Sequence, residues 1–90
     1  MVLLDVLGQR WSLRILWELN FGRMTFRDLR SRCDDLSPTI LNKRLGEFRT
    51  LSLVDLDKSG YGLTKSGVSL IAHLAPLDSW ANEWAENIDG

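Results

Sequence analysis

Ser37-Pro38-Thr39-Ile40-Leu41-Asn42-Lys43-Arg44-Leu45-Gly46-Glu47-Phe48 opens with a good N-cap residue. Proline follows at the first helical position, where its missing amide hydrogen costs no bond. At helical spacing Ile40, Leu41, Leu45, Phe48 and Leu51 make a core face. Thr39, Asn42, Lys43 and Gly46 recur on the opposite face, which is small, polar and basic. A short basic helix precedes this segment, and a tight strand-turn-strand follows at Leu53 to Leu63. That order predicts a helix-turn-helix with a wing, an α+β fold that is mostly helical with a small two- or three-stranded β wing. Residues 37–50 are then the expected reader of a DNA major groove.

Working outward, Val2 to Leu7 suits a short helix ended by Gly8. Arg10 to Asn20 reads as a buried central helix, with spacing linking Leu13, Leu16, Trp17 and Asn20 and with Trp11 and Trp17 in the core. Asn20-Phe21-Gly22 stops it. Thr25 lies three residues before Asp28, the spacing of a capping box. The helix at 25–33 should bury Phe26, Leu29 and Cys33 and turn Arg27, Arg30 and Arg32 outward; Asp34-Asp35 makes the turn. In the wing, Val54 and Leu56 are expected on one face and Asp55 and Asp57 on the other, with a turn at Ser59-Gly60. Thr64 caps a last helical region carrying Ile71, Leu74, Leu77, Ala81, Trp84, Ala85 and Ile88, which Pro76 should kink or divide.

Ninety residues suit one domain spanning 1–90. Four tryptophans and 44% apolar residues exceed what so small a domain readily hides, which points to self-association. One cysteine and one histidine leave no disulfide framework and no metal site. A cytoplasmic protein is expected, because no apolar run nears the roughly 18 residues of a membrane span and Asp5 interrupts the short apolar start. The net charge of -1 conceals a gradient: residues 23–49 carry seven basic and four acidic groups, residues 50–90 two basic and six acidic. One face is thus suited to an anionic partner.

Major-groove readout needs small or hydrogen-bonding side chains beside the bases and basic flanks for phosphates. Asn42 is matched to adenine, Lys43 to guanine, and Thr39 to a thymine methyl or a phosphate. Ser37 and Pro38 begin the helix, whose first amides suit a phosphate. Arg23, Arg27 and Arg30, with Arg32, belong to the region near the DNA backbone. Lys58 marks the wing tip, although Asp55 and Asp57 would repel phosphates if they faced DNA. Arg44 is placed among the DNA-facing cations, with a pairing to Glu47 as its other reading. A homodimer contact is expected through Val2, Leu3 and Val6 at one terminus and Leu77, Trp80, Ala81, Trp84 and Ile88 at the other. No Gly-rich phosphate loop, nucleophile elbow or ligand-spaced His/Cys/carboxylate cluster is present, so neither an enzyme nor a cofactor is predicted. The runner-up reading is a winged-helix module for protein–protein contact without DNA, which the acidic C-terminal half favours.

Several motifs together resemble the HxlR-type branch of winged helix-turn-helix regulators of bacteria and archaea, related in fold to MarR proteins. Gly8 to Trp11 gives Gly-x-x-Trp, and Phe26-Arg27-Asp28-Leu29 resembles F-x-E-L. Leu36-Ser37 through Leu41 to Arg44-Leu45 resembles I-S-x-x-x-L-x-x-R-L. Tyr61-Gly62-Leu63-Thr64 with Gly67 resembles Y-x-L-T-x-x-G, and Trp80 matches a C-terminal tryptophan. The resemblance implies a homodimer joined through helices at about 2–7 and 65–88 that binds operator DNA and regulates transcription. Two features depart from the pattern: no cysteine precedes Cys33, where the family often has a sensing Cys-Pro, and the wing is short. The sequence assigns no small-molecule effector.

Overall fold

The computed structural model describes residues 2–89. Five helices and one hairpin follow in the order α1 (Val2–Leu7), α2 (Ser12–Leu19), α3 (Phe26–Arg32), α4 (Pro38–Thr50), β1 (Val54–Asp57), β2 (Gly60–Leu63) and α5 (Lys65–Asp89). The fold is a winged helix. Strands β1 and β2 pair antiparallel, with Val54 opposite Leu63 and Asp57 opposite Gly60. An isolated bridge from Met24 to Tyr61 adds a third short rung.

Local chemistry accounts for most boundaries. Thr25 caps α3 as its spacing implies, its hydroxyl accepting from the Asp28 amide at 3.2 Å. Arg30 staples the turn after α3: its Nε donates to the Leu36 carbonyl at 2.7 Å, while Asp34 and Asp35 take left-handed φ of 58° and 55°. Left-handed φ suits Asp better than most residues, which explains this pair at the turn. Thr64 begins α5, accepting from the Gly67 amide at 3.1 Å and donating to the Ser52 carbonyl at 2.5 Å. Pro76 neither divides nor ends α5, which runs through it. The carbonyl that loses its partner belongs to Ala72, an exposed residue, where water can replace the bond.

The core joins α2, α3, α4 and the base of the wing. Ile15, Leu16, Leu29, Leu41 and Phe48 are fully buried, with Leu19, Leu45, Leu53, Val54 and Ile71 beside them. Several expected positions differ. On α2 the buried face is Ser12, Ile15, Leu16 and Leu19; Leu13 is exposed and Trp11 and Trp17 are only half-buried against the core. Ser12 is tolerated there because its hydroxyl donates to the Val6 carbonyl at 2.7 Å. Ile40 is 36% exposed, so the inward stripe of α4 is narrower than its apolar residues suggested. In β1, Val54 is buried but Leu56 is exposed, since the hairpin projects beyond the core.

Arg44 requires a correction. Its side chain is 9% accessible, its Nε donates to the Arg10 carbonyl at 3.1 Å, and its Nη1 pairs with Glu47. It is therefore an internal tie between α4 and the start of α2, and cannot reach DNA from this position. Hydrogen bonds to a charged group contribute about 1.5–3 kcal/mol. Arg44→Ala should lower the urea-unfolding free energy by about 2 kcal/mol, with Arg44→Lys recovering less than half of it. A loss under about 0.5 kcal/mol would mean the tie is incidental.

Two glycines set opposite expectations. A Cβ at Gly67 would stand 2.2 Å from the Leu53 carbonyl oxygen, whereas one at Gly46 meets nothing within 4 Å. Gly67→Ala should destabilise by about 3 kcal/mol through forced backbone movement. Gly46→Ala should stabilise by up to about 1 kcal/mol through helix propensity. Thermal denaturation of both variants reads the contrast.

Candidate nucleic-acid interface

Burial of Leu41, Leu45 and Phe48 turns the other side of α4 to solvent. Ser37, Pro38, Thr39, Asn42, Lys43, Gly46, Arg49 and Thr50 are exposed. Thr50 bonds back to the Gly46 carbonyl at 3.0 Å. Thr39, Asn42 and Lys43 have no hydrogen-bond or ion-pair partner among the described residues. They form a polar face with free donors on consecutive turns. Ser37 stands at the N-cap position, but its side chain makes no capping bond, so its hydroxyl is uncommitted. The first-turn amides of α4 consequently lack a side-chain acceptor of their own.

The arginines divide into two groups that the sequence presented as one. Arg27 projects from α3 without a partner among the described residues, and Arg49 does the same on the last turn of α4. Arg30, half-buried, is spent on the turn, where it also lies 3.4 Å from the Asp35 carbonyl. Arg14 links α2 to the end of α3, with Nη2 donating to the Arg32 carbonyl at 2.6 Å. Glu18 holds Arg14 at 3.3 Å and Arg32 at 4.0 Å. Arg23 is drawn onto the wing, 2.6 Å from Asp55 and 3.4 Å from Asp57. The two wing carboxylates are thus paired within the molecule. Lys58 stays exposed in the turn, which Asp57 shapes by accepting from the Ser59 amide at 2.7 Å.

Cys33 lies in the core at the end of α3. Burial pushes its thiol pKa up; Arg14 opposes that shift, and Glu18 and Asp34 reinforce it. A buried, protonated thiol is a poor nucleophile. No group of three or more His, Cys, Asp or Glu side chains that could hold a metal ion occurs among the described residues. No helix among them is long and apolar enough to cross a membrane.

The expected self-association residues fall into two sets. Val2, Leu77, Trp80, Trp84 and Ile88 are exposed, with Trp80 at 58% and Trp84 at 54%. The two indoles stack, with centroids 6.1 Å apart and planes 10° from parallel. Leu3 and Val6 are instead half-buried against the domain's own core. Ala81 is half-buried and, with Leu13, Trp17, Leu74 and Leu77, lines a groove of about 330 Å³ between α2 and α5.

Comparison with known proteins places this geometry. An uncharacterized HTH-type transcriptional regulator of Bacillus subtilis (strain 168), YvaP, is 29% identical over 89 residues, covering 91% of this chain and 82% of that protein. Quinone-bound YodB of B. subtilis superposes with a TM-score of 0.82 at 28% identity, over 88% of this chain and 90% of that one. A possible HxlR family transcriptional factor from Thermoplasma volcanium GSS1 gives a TM-score of 0.83 at 28% identity, over 92% and 81%. The model for HxlR-like helix-turn-helix proteins matches residues 6–89, and the chain belongs to that family of DNA-binding transcriptional regulators.

Proposed function

We propose that this protein is a cytoplasmic homodimer that binds a specific double-stranded DNA site, with α4 of each protomer in a major groove. The observation that carries the reading is the partnerless outer face of α4, where Thr39, Asn42 and Lys43 stand free beside an open Gly46. Asn and Lys suit bidentate readout of adenine and guanine edges. Gly46 leaves room for close approach to a backbone or base edge. Arg27 on α3, Arg49 on α4 and Lys58 on the wing supply phosphate attraction. Arg23, Arg30 and Arg44 are left out of the contact set because their guanidinium groups are engaged within the fold.

The second copy is assigned to the exposed apolar surface of the terminal helices. Val2, Leu77, Trp80, Trp84 and Ile88 offer apolar area that a lone protomer leaves in water. Leu3 and Val6 support this surface from below, holding α1 to the domain. Symmetric dimers of helix-turn-helix domains place their half-sites about one helical turn apart, or a multiple of it. A two-fold related DNA sequence is the matching substrate. The non-DNA, protein-docking alternative keeps only the acidic C-terminal half in its favour, because the exposed aromatic surface serves dimerisation equally well.

Two experiments separate these assignments. Selection from a random duplex pool with the purified protein should yield a palindromic site. Asn42→Ala with Lys43→Ala should then abolish preference for that site while leaving circular dichroism and oligomeric state unchanged. Wild-type affinity should also fall steeply between about 50 and 200 mM salt, since each phosphate contact adds about 0.9 to the logarithmic salt slope. A salt-insensitive affinity, or none for any duplex, would reject the DNA assignment.

For the dimer, sedimentation of Trp80→Ala with Trp84→Glu should show monomers where wild type shows dimers. DNA affinity should fall by at least about tenfold, as one linked half-site is lost. A wild-type protein that sediments as a monomer at micromolar concentration would refute the dimer assignment.

A further inference from the structure

We propose that Arg23 serves DNA binding indirectly, as the internal counter-charge that lets the wing approach phosphates. The inference rests on the DNA-binding reading above and assigns a role within it.

Arg23 lies in the link between α2 and α3, 32 residues before Asp55 and 37 before Gly60. Its guanidinium crosses one side of the hairpin. Nη2 donates to Asp55 Oδ1 at 2.6 Å, Nη1 donates to the Gly60 carbonyl at 2.8 Å, and Nε lies 3.4 Å from Asp57 Oδ2. Asp55 and Asp57 are two apart on β1, so their side chains share a face. Their cross-strand partners are Gly62 and Gly60.

The two glycines make room for different neighbours: Gly62 for the Arg23 guanidinium and Gly60 for the Met24 backbone. A Cβ at Gly62 would stand 2.6 Å from the Arg23 Cζ. At Gly60, where φ is 116°, it would stand 2.2 Å from the Met24 carbonyl oxygen. Met24 and Tyr61 exchange backbone bonds of 3.0 and 2.7 Å, which fixes the residue next to Arg23 against β2. Two carboxylates, the Gly60 carbonyl and the open position at Gly62 thus make a receptor for one planar, forked cation, a geometry that lysine does not reproduce.

The electrostatic consequence follows from where these charges sit. Without Arg23 the hairpin carries Asp55, Asp57 and Lys58 and is net negative. With Arg23 docked it is neutral, and Lys58 at the tip is free of an acidic partner among the described residues. Asp57 adjoins Lys58, and Asp55 lies only about 7 Å further along the strand. Both carboxylates stand within the Debye length of a low-salt buffer, about 30 Å at 0.01 M, from a phosphate that Lys58 touches. Unmasked, they would oppose the contact. A direct phosphate contact by Arg23 would draw on the N–H donors these bonds leave over and would divide one positive charge between the phosphate and two carboxylates.

Competition and direct binding to the selected duplex across a salt series, using the full chain, test the role. Arg23→Ala should weaken binding by about tenfold at low salt. Adding Asp55→Asn and Asp57→Asn to that variant should restore affinity to within about threefold of wild type, although the clamp itself is gone. Arg23→Lys, which keeps the charge, should lose less than Arg23→Ala and covers the case in which the alanine variant folds poorly. Amide exchange in β1 and β2 should quicken in every Arg23 variant, a readout that does not depend on DNA. A triple variant that stays as weak as Arg23→Ala, with a salt slope lower than wild type by about 0.9, would make Arg23 a direct phosphate contact and overturn the proposal. Wild-type protein with no duplex affinity but slow hairpin exchange would instead overturn the DNA reading and leave the clamp as structure.

Discussion

Everything positioned on this fold depends on the inward burial of one narrow stripe of α4. Leu41, Leu45 and Phe48 are at most 1% exposed and meet Ile15, Leu16 and Leu29 from the two preceding helices. Fully burying such a side chain contributes about 1.5–3 kcal/mol. The stripe therefore fixes the rotation of α4 about its own axis far more firmly than its polar residues can. With that rotation set, Thr39, Asn42, Lys43 and Gly46 have no direction left but outward. The same constraint reaches the wing, because the Leu53 amide donates to the Phe48 carbonyl at 2.9 Å, directly after the helix ends. The Leu53 carbonyl in turn accepts from the Thr64 amide at 3.0 Å and lies against Gly67. Helix α4, the hairpin and the start of α5 thus share one anchor.

Charge is used twice in this small domain, for opposite purposes. Residues 23–49 hold seven basic side chains, which alone would suggest a broad basic surface. Arg44 is withdrawn into the core, Arg30 is folded onto carbonyl oxygens, and Arg23 is matched to two carboxylates. Arginine is suited to such work because its fork makes several directed bonds and stays charged when half-buried. Arg27, Lys43 and Arg49 remain uncommitted. Arg32 lies between the two groups, 4.0 Å from Glu18 and largely exposed. About half of the cations that a composition argument would have credited to the ligand thus serve the fold itself.

Features encoded by near neighbours were legible in the sequence. Thr25 with Asp28, Pro38 at the start of α4 and Gly22 after α2 each act within four residues, and these elements lie where their signals predicted; the hairpin turn, expected at Ser59-Gly60, falls one residue earlier at Lys58-Ser59, with Gly60 opening β2. The class of fold, the reading helix and the wing followed. Long-range pairing was not legible, since nothing local to Arg23 says that its partners lie more than thirty residues away on a hairpin. Glycines at 60 and 62 were the available signal: two on one short strand opposite two aspartates on the other mark a surface that another segment approaches closely. Burial at the edges of a stripe was equally hidden. Ile40 and Leu13 are as apolar as their buried neighbours, yet they face out because helical period alone does not set how wide the inward arc is. Pro76 does not begin a second helix, for a related reason. The cost of a proline inside a helix depends on whether water reaches the freed carbonyl, a property of the surroundings.

The scarcity of uncommitted cations ties the two exposed surfaces together on the proposed reading. Arg27, Arg49 and Lys58 give about three phosphate contacts per protomer, a salt slope near 2.7. A domain with that few contacts and no long wing holds DNA weakly at physiological salt. Joining two copies raises the effective concentration of the second α4 at its half-site without adding any contact to the first. The stacked Trp80 and Trp84 and the exposed Leu77 and Ile88 lie on α5, whose first turn rests on the Leu53 backbone that also anchors the recognition helix. The apolar surface is then part of the DNA-binding device, because the spacing between two α4 helices is set by how α5 meets its counterpart.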